Sequence, residues 1–242
     1  MTATYADYSK MIDHSLLMPT MDVKTLEEGC QLAVAYDVAS VCILPYYLKR
    51  CAEILAGSTV QPSTTIGFPH GGHTTWMKQK EAEKAVEDGC QELDMVVNIS
   101  QVLSGEWDYV TADIKAVIDV AHAADRKVKV IFENCYLNDE QKIRLCKICT
   151  ELRADWVKTS TGYGTGGATM EDLELMVKNV GEGIQVKAAG GVRDFETLQK
   201  VRDLGVTRCG ASKTQPMMDG AREALGLPAI EFTVEQGGVS GY

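Results

Sequence analysis

The chain alternates short apolar runs with longer amphipathic ones, eight times over, and no linker interrupts the alternation. The short runs are "MIDHSLL", "ASVCILP", "STTIGF", "QELDMVVNI", "KVKVIFE", "ADWVKTS", "IQVKAAG" and "VTRCGAS". Their length and their β-branched residues predict strands. The segments "TLEEGCQLAVAYD", "YYLKRCAEILAG", "TWMKQKEAEKAVEDG", "WDYVTADIKAVIDVAHAAD", "NDEQKIRLCKICTELR", "TMEDLELMVKNVG", "DFETLQKVRDLG" and "MMDGAREALG" carry the helical period. Thr25, Asn138, Thr169 and Asp194 are expected to cap helix starts, and Gly57, Gly89, Gly181 and Gly205 to end helices. Eight such units in 242 residues predict an α/β protein, a (β/α)8 TIM barrel, as a single domain over residues 1–242. A short N-terminal extension and a flexible C-terminal tail, residues 229–242, are expected at its ends. The alternative is a doubly wound open sheet, whose first strand usually runs into a glycine-rich turn. Here the first strand ends in "LLMPT", and the glycine turns follow strands six, seven and eight.

A net charge of −10 argues against nucleic acid or an acidic membrane surface as a partner, while leaving room for a locally positive site that takes a small anion. No stretch is long and apolar enough to span a bilayer, and the beginning "MTATYADYSKMIDHSLL" has acids early and no apolar core of signal-peptide length. The eight cysteines are scattered and read as reduced thiols, so a cytoplasmic protein is expected. Cys146 and Cys149 form a C-x-x-C, but with Leu145, Ile148 and Leu152 they make a helical apolar stripe and read as structural.

In a barrel of this kind, side chains alternate between lumen and helix layer, and the chemistry sits at the C-terminal strand ends. Those ends hold Asp13, Cys42, Asp94, Asn98, Glu133, Lys158, Ser160 and Lys187. Glu92, Asp94, Val96 and Asn98 share one face of the fourth strand, and Lys129, Ile131 and Glu133 one face of the fifth. Charges of both signs converge on one lumen, as a structural ion-pair network or as a reaction centre. Lys158 and Lys187 occupy equivalent places at the ends of neighbouring apolar runs. A lysine that is partly buried beside a second cation loses its proton more easily and becomes a nucleophilic amine. Its imine with an aldehyde or ketone stabilises an adjacent carbanion, as aldol chemistry requires. A carboxylate such as Asp94 can move protons for the steps around it.

The loops add an anion signal. After the seventh strand come Gly190, Gly191 and Arg193 and then a helix start; after the eighth come Gly210 and Ser212. Loops seven and eight of such barrels commonly bind phosphate through backbone N–H groups. "GYGTGG", residues 162–167, matches G-x-G-x-x-G, but the following strand ends at Lys187 where a dinucleotide site needs an acid. This loop, opened by Thr161 and Gly162, is therefore read as a wall of the substrate site. "HGGH" offers His70 and His73 on one loop, too few ligands for a metal site. Neither a cofactor nor a metal is expected.

The runs "ELDMVVNI", "VKTSTGYGTGGAT", "VKAAGGVR" and "RCGAS", in this order and spacing, together with "DHSLL" and "SVCILP", resemble the 2-deoxyribose-5-phosphate aldolases, a class I aldolase family, over essentially the whole chain. The resemblance implies reversible cleavage of 2-deoxy-D-ribose 5-phosphate to D-glyceraldehyde 3-phosphate and acetaldehyde. It implies Lys158 as the Schiff-base residue, Lys187 as its pKa-lowering partner and Asp94 as the proton-relay acid. It further implies substrate contacts from Asp13, Cys42, Thr161, Gly162, Gly190, Gly191, Arg193, Gly210 and Ser212. Some members carry a lysine after "TSTG" where this chain has Tyr163, and Lys213 is a candidate substitute. Some end in a tyrosine that folds over the site, here Tyr242, a candidate proton relay. A homo-oligomer, with a dimer as the simplest form, is expected. The alternatives are another imine-forming barrel aldolase or transaldolase, and a catalytically inactive sugar-phosphate-binding protein.

Overall fold

A computed structural model describes residues 3–232. Its eight strands are β1 (Ile12–Leu16), β2 (Ser40–Ile43), β3 (Gln61–Ile66), β4 (Glu92–Val96), β5 (Lys127–Ile131), β6 (Trp156–Lys158), β7 (Gln185–Ala189) and β8 (Arg208–Ala211). They are hydrogen-bonded in chain order, all parallel, and β8 closes onto β1. The helices are α1 (Ala6–Ser9), α2 (Val23–Ala35), α3 (Leu48–Leu55), α4 (Thr75–Glu87), α5 (Ile99–Ser104), α6 (Trp107–Ala123), α7 (Asp139–Glu151), α8 (Met170–Asn179), α9 (Phe195–Asp203) and α10 (Thr214–Ala224). This is the closed barrel that the alternation predicts, and it excludes the open sheet.

The period-two pattern of each strand divides its residues between two environments. Leu93, Met95, Val128, Val130, Val157, Val186 and Cys209 are buried in one apolar cluster with helix residues such as Ile114, Val117, Leu145, Leu173 and Leu198. The alternate positions, Asp13, Glu92, Asp94, Lys129, Trp156, Lys158, Lys187 and Arg208, turn to the lumen and meet one another there. Cys146 and Cys149 are buried within α7, in the same apolar cluster.

Local details depart from the sequence reading in four places. α2 starts two residues early, because Asp22 rather than Thr25 caps it: Thr25 N–H and Oγ1 donate to Asp22 Oδ1 at 2.9 and 2.7 Å. The end of the fourth apolar run breaks into α5, and Asn98 accepts from Gln101 N–H to cap it instead of facing the lumen. Gly57, Gly89 and Gly205 adopt positive φ, but Gly181 does not. There the constraint is contact: a Cβ would sit 2.2 Å from Thr150 Cγ2, while the Gly181 N–H donates to Thr150 Oγ1 at 2.9 Å. The fourth is a buried ion pair in the helix layer that the pattern does not announce. Lys78 on α4 lies 2.5 Å from Asp113 on α6 and donates to the Val96 carbonyl at 2.8 Å, tying both helices to the end of β4.

Candidate active site

Strand register brings the two lysines together. Lys158 and Lys187 are Cα partners across β6 and β7, so their side chains leave neighbouring strands at the same height. Asp94, three strands from β7, reaches both: its Oδ2 accepts from Lys158 Nζ at 2.8 Å and from Lys187 Nζ at 2.7 Å. Its Oδ1 accepts from Lys129 Nζ at 2.9 Å. Lys129 also pairs with Glu92 at 2.6 Å and Asp13 at 3.3 Å, and Lys187 with Asp13 at 2.6 Å. Arg208 holds Glu92 through two bonds, 2.9 and 2.6 Å, and also donates to Asp13. Trp156, at the start of β6, lies with its ring against Arg208 and Lys129 at the N-terminal end of the barrel.

Four cations therefore face three carboxylates in a lumen from which water is largely excluded. The contacts are uneven. Lys129 touches three carboxylates, Lys187 and Arg208 two each, and Lys158 one, at an oxygen it shares with Lys187. Lys158 is accordingly the cation with the least to lose on giving up its proton. Burial pushes its pKa down; Asp94 opposes this, and Lys187 adds to the depression. For Lys187 burial also acts downward, but Asp13 and Asp94 overcome it and hold the ammonium above its ordinary value. Burial would raise the Asp94 carboxyl, yet Lys129, Lys158 and Lys187 keep it well below the usual range. The Cys42 thiol is pushed up to about 11, chiefly by burial, and stays protonated at neutral pH.

Above the lysines lies a cavity of about 230 Å³. Lys158, Lys187, Asp13, Cys42, Thr161, Gly162, Gly190, Gly191, Arg193, Gly210 and Ser212 all line it, so the expected contact residues are brought to one place. Asp94 sits beneath its floor. The 162–167 loop, read from the sequence as a wall, does line the cavity, and Lys129, read as a lumen charge, pairs with three acids; sequence reasoning missed Ser15 and Leu17 as walls and Arg208 as a partner of the acids. Ser15 carried a signal, since it lies two residues along β1 from Asp13, a lumen residue already recognised. The two glycine loops touch directly: a Cβ on Gly167 would stand 2.7 Å from the Gly190 carbonyl carbon, and Gly191 has φ +91°. Glu133 does not join the lysines. It accepts from Thr161 N–H at 3.1 Å and from the Thr161 hydroxyl, which fixes the start of the 161–167 loop.

Other expectations resolve locally. Tyr163 donates its hydroxyl to the Leu17 carbonyl at 2.8 Å and sets its ring edge-on to Phe68, so it joins two loops. Asp194 caps α9, accepting from Thr197 N–H, whereas α10, which starts two residues after Ser212, has no side-chain cap. Lys213 is the residue before α10 and does not line the cavity. His73 lies 3.5 Å from Glu81, and among the described residues no group of three or more His, Cys, Asp or Glu could hold a metal ion. Tyr242 and the end of the tail from residue 233 lie outside the described residues.

Residues 8–224 match the family described as DeoC/LacD family aldolase. The chain is 68% identical over 238 residues to the deoxyribose-phosphate aldolase of Rhodopirellula baltica, covering 98% of each chain. Among solved structures it resembles an aldolase designated QR15, with TM-score 0.85 and 35% identity over 90% of this chain and 98% of that one. It also shares the fold of the tetrameric deoxyribose phosphate aldolase from Aeropyrum pernix, with TM-score 0.83 and 24% identity over 91% of this chain and 93% of that one.

Proposed function

This chain belongs to the DeoC/LacD family of aldolases, and from that premise we propose that Lys158 is the residue through which it works. The reaction is the reversible retro-aldol cleavage of 2-deoxy-D-ribose 5-phosphate to D-glyceraldehyde 3-phosphate and acetaldehyde through a lysine Schiff base. The observation that carries the assignment is the unequal number of carboxylate partners: both lysines bond Asp94, but Lys187 also pairs with Asp13, so Lys158 is the amine that gives up its proton more readily.

The neutral Lys158 attacks C1 of the open-chain sugar. Water leaves, and a protonated imine forms. The C2–C3 bond then breaks as the C3 hydroxyl loses its proton; its electrons pass into the imine, giving an enamine. D-glyceraldehyde 3-phosphate departs, a proton is added to C2, and water releases acetaldehyde and the free amine. Lys187 and Asp94 handle the protons. Asp94 Oδ2 bonds both nitrogens, so a proton given up on one side of that oxygen can be replaced from the other. The substrate phosphate binds among Gly190, Gly191, Arg193, Gly210 and Ser212, where loop amides and the uncapped start of α10 favour an anion. Asp13, Cys42, Thr161 and Gly162 line the space left for the sugar.

The eight free cysteines suit a reducing compartment, the cytoplasm. Homo-oligomeric assembly is suggested by the tetrameric relative, and Tyr46, Trp76 and Met77 expose large apolar surfaces. No described helix is long and apolar enough to cross a membrane. The decisive experiment is borohydride reduction with acetaldehyde present, followed by peptide mass spectrometry. A single ethyl group is expected on the peptide bearing Lys158, and both adduct and turnover are expected to vanish in Lys158→Ala. An adduct on Lys187 or Lys129 instead would refute the assignment.

A further inference from the structure

The floor of the lumen holds two ionised residues that the reaction scheme does not use. Arg208 and Glu92 are bonded twice to each other, and neither lines the cavity. An ion pair that only filled space here would be poor design, because its desolvation cancels most of its attraction. Its position relative to the other charges gives it a use. A guanidinium stays charged at any pH the protein meets, so Arg208 is a fixed cation. With it, the lumen has four basic groups and three acids. Neutrality is reached only when one basic group gives up its proton, and Lys158 is the one held by a single carboxylate.

We propose that Arg208 and Glu92 are positioning residues that fix this four-to-three balance, and that through it they set the charge state of Lys158 and the lower pH limit of the reaction. The inference rests on Lys158 being the imine-forming residue. β1 brings Asp13, β2 the neutral Cys42 thiol, β3 only Ser63 and Thr65, β4 Asp94 as well as Glu92, β5 Lys129, β6 the Trp156 ring and β7 Lys187. Glu133, beyond β5, is engaged by Thr161. Lys127 reaches the outer side of Trp156, at 5.2 Å from the ring centre.

The proposal makes the two members of one ion pair act in opposite directions. Without Arg208, three acids match three lysines and Lys158 keeps its proton. Without the Glu92 charge, four cations face two acids and Lys158 gives up its proton more readily. Without both, the excess returns to one. The test is the pH dependence of kcat/KM for 2-deoxy-D-ribose 5-phosphate in wild type, Arg208→Met, Glu92→Gln and the double variant. The substrate phosphate titrates equally in all four and cancels. The acid limb should move up by about one pH unit in Arg208→Met, a loss of about tenfold below the midpoint, and down by a similar amount in Glu92→Gln. In the double variant it should return close to its wild-type position. A pair that serves only structure would slow both single variants without opposite displacements, and that result overturns the proposal. If Arg208→Met does not fold, Glu92→Gln and the double variant still decide: a downward shift reversed by the second change supports it, and a common shift or none refutes it. Borohydride mapping of the adduct in the wild type tests the premise separately, so failure of the one is not mistaken for failure of the other.

Discussion

Lys187 should act on Lys158 by its charge, and the distances fix how strongly. Both nitrogens bond the same oxygen of Asp94, at 2.8 and 2.7 Å, so they stand no more than about 5.5 Å apart. Two like charges at that separation repel by about 3 kcal/mol at an effective dielectric constant near 20. That corresponds to about two pKa units. Replacing Lys187 with methionine keeps most of the length and apolar volume and removes the cation. It also leaves Asp94 more available to the Lys158 ammonium, which acts in the same direction. The Lys158 pKa should rise, and the acid limb of kcat/KM should move to higher pH by about two units. Below the wild-type midpoint the loss should be about 100-fold. It should recover by about tenfold for each unit of rising pH until the new limb is passed. Acetaldehyde trapping at Lys158 at high pH would show that the site remains formed. A loss of equal size at every pH, with the limb unmoved, would refute the reasoning and leave Lys187 as a proton carrier whose charge is unimportant.

Ser212→Asp places a carboxylate among the loop groups assigned to phosphate; KM for the phosphorylated sugar should rise strongly and turnover of unphosphorylated 2-deoxyribose should change little, and equal losses on both would move the phosphate elsewhere. His14 faces away from the lumen, bonded to Thr214 at 2.8 Å, and burial depresses its pKa to about 4. The unfolded chain therefore binds a proton at His14 that the folded one refuses, so this contribution is fully present above about pH 6.5 and is lost as pH falls toward about 4, amounting to about 3 kcal/mol. Urea unfolding across that window should show a steeper fall in stability for the wild type than for His14→Gln, and parallel curves would contradict it.

Most of the fold was legible because each element carries its own signal. Alternation of period placed all eight strands in order, and parallel neighbours in chain order leave few topologies to choose among. The misreadings share a cause: short polar residues can serve several ends. Thr25 and Asp22 both resemble caps, and the apolar run "VVNI" continues past the point where Asn98 begins α5. Of the site, Lys158, Lys187 and Asp94 were legible because a charge inside an apolar run is conspicuous. Lys129 stands in such a run too, yet its partners are contributed by β1 and β4, which no local pattern reveals. Arg208 opens its strand and resembles a solvated end residue until the barrel closes over it.

Why so many ions lie in this lumen is a question of stability as much as of chemistry. Well-packed apolar side chains would fill the interior of a barrel at least as favourably, since a buried ion pair gains little over a hydrophobic pair of the same volume. Breaking one is another matter, because it leaves a charge with neither water nor a partner, at a cost of about 3–5 kcal/mol. The lumen is thus held in a state that is unrewarding to build and expensive to disturb. Such a state has one property an apolar core lacks. A change of a single proton anywhere within it is felt by every other member, because no water intervenes to screen it. Lys158 is the member with the weakest claim on a carboxylate, so the strain of an unmatched cation falls on its proton. On the proposed role of Lys158, the same arrangement that weakens its hold on that proton would stabilise the cationic imine, since the imine nitrogen would again stand beside Asp94.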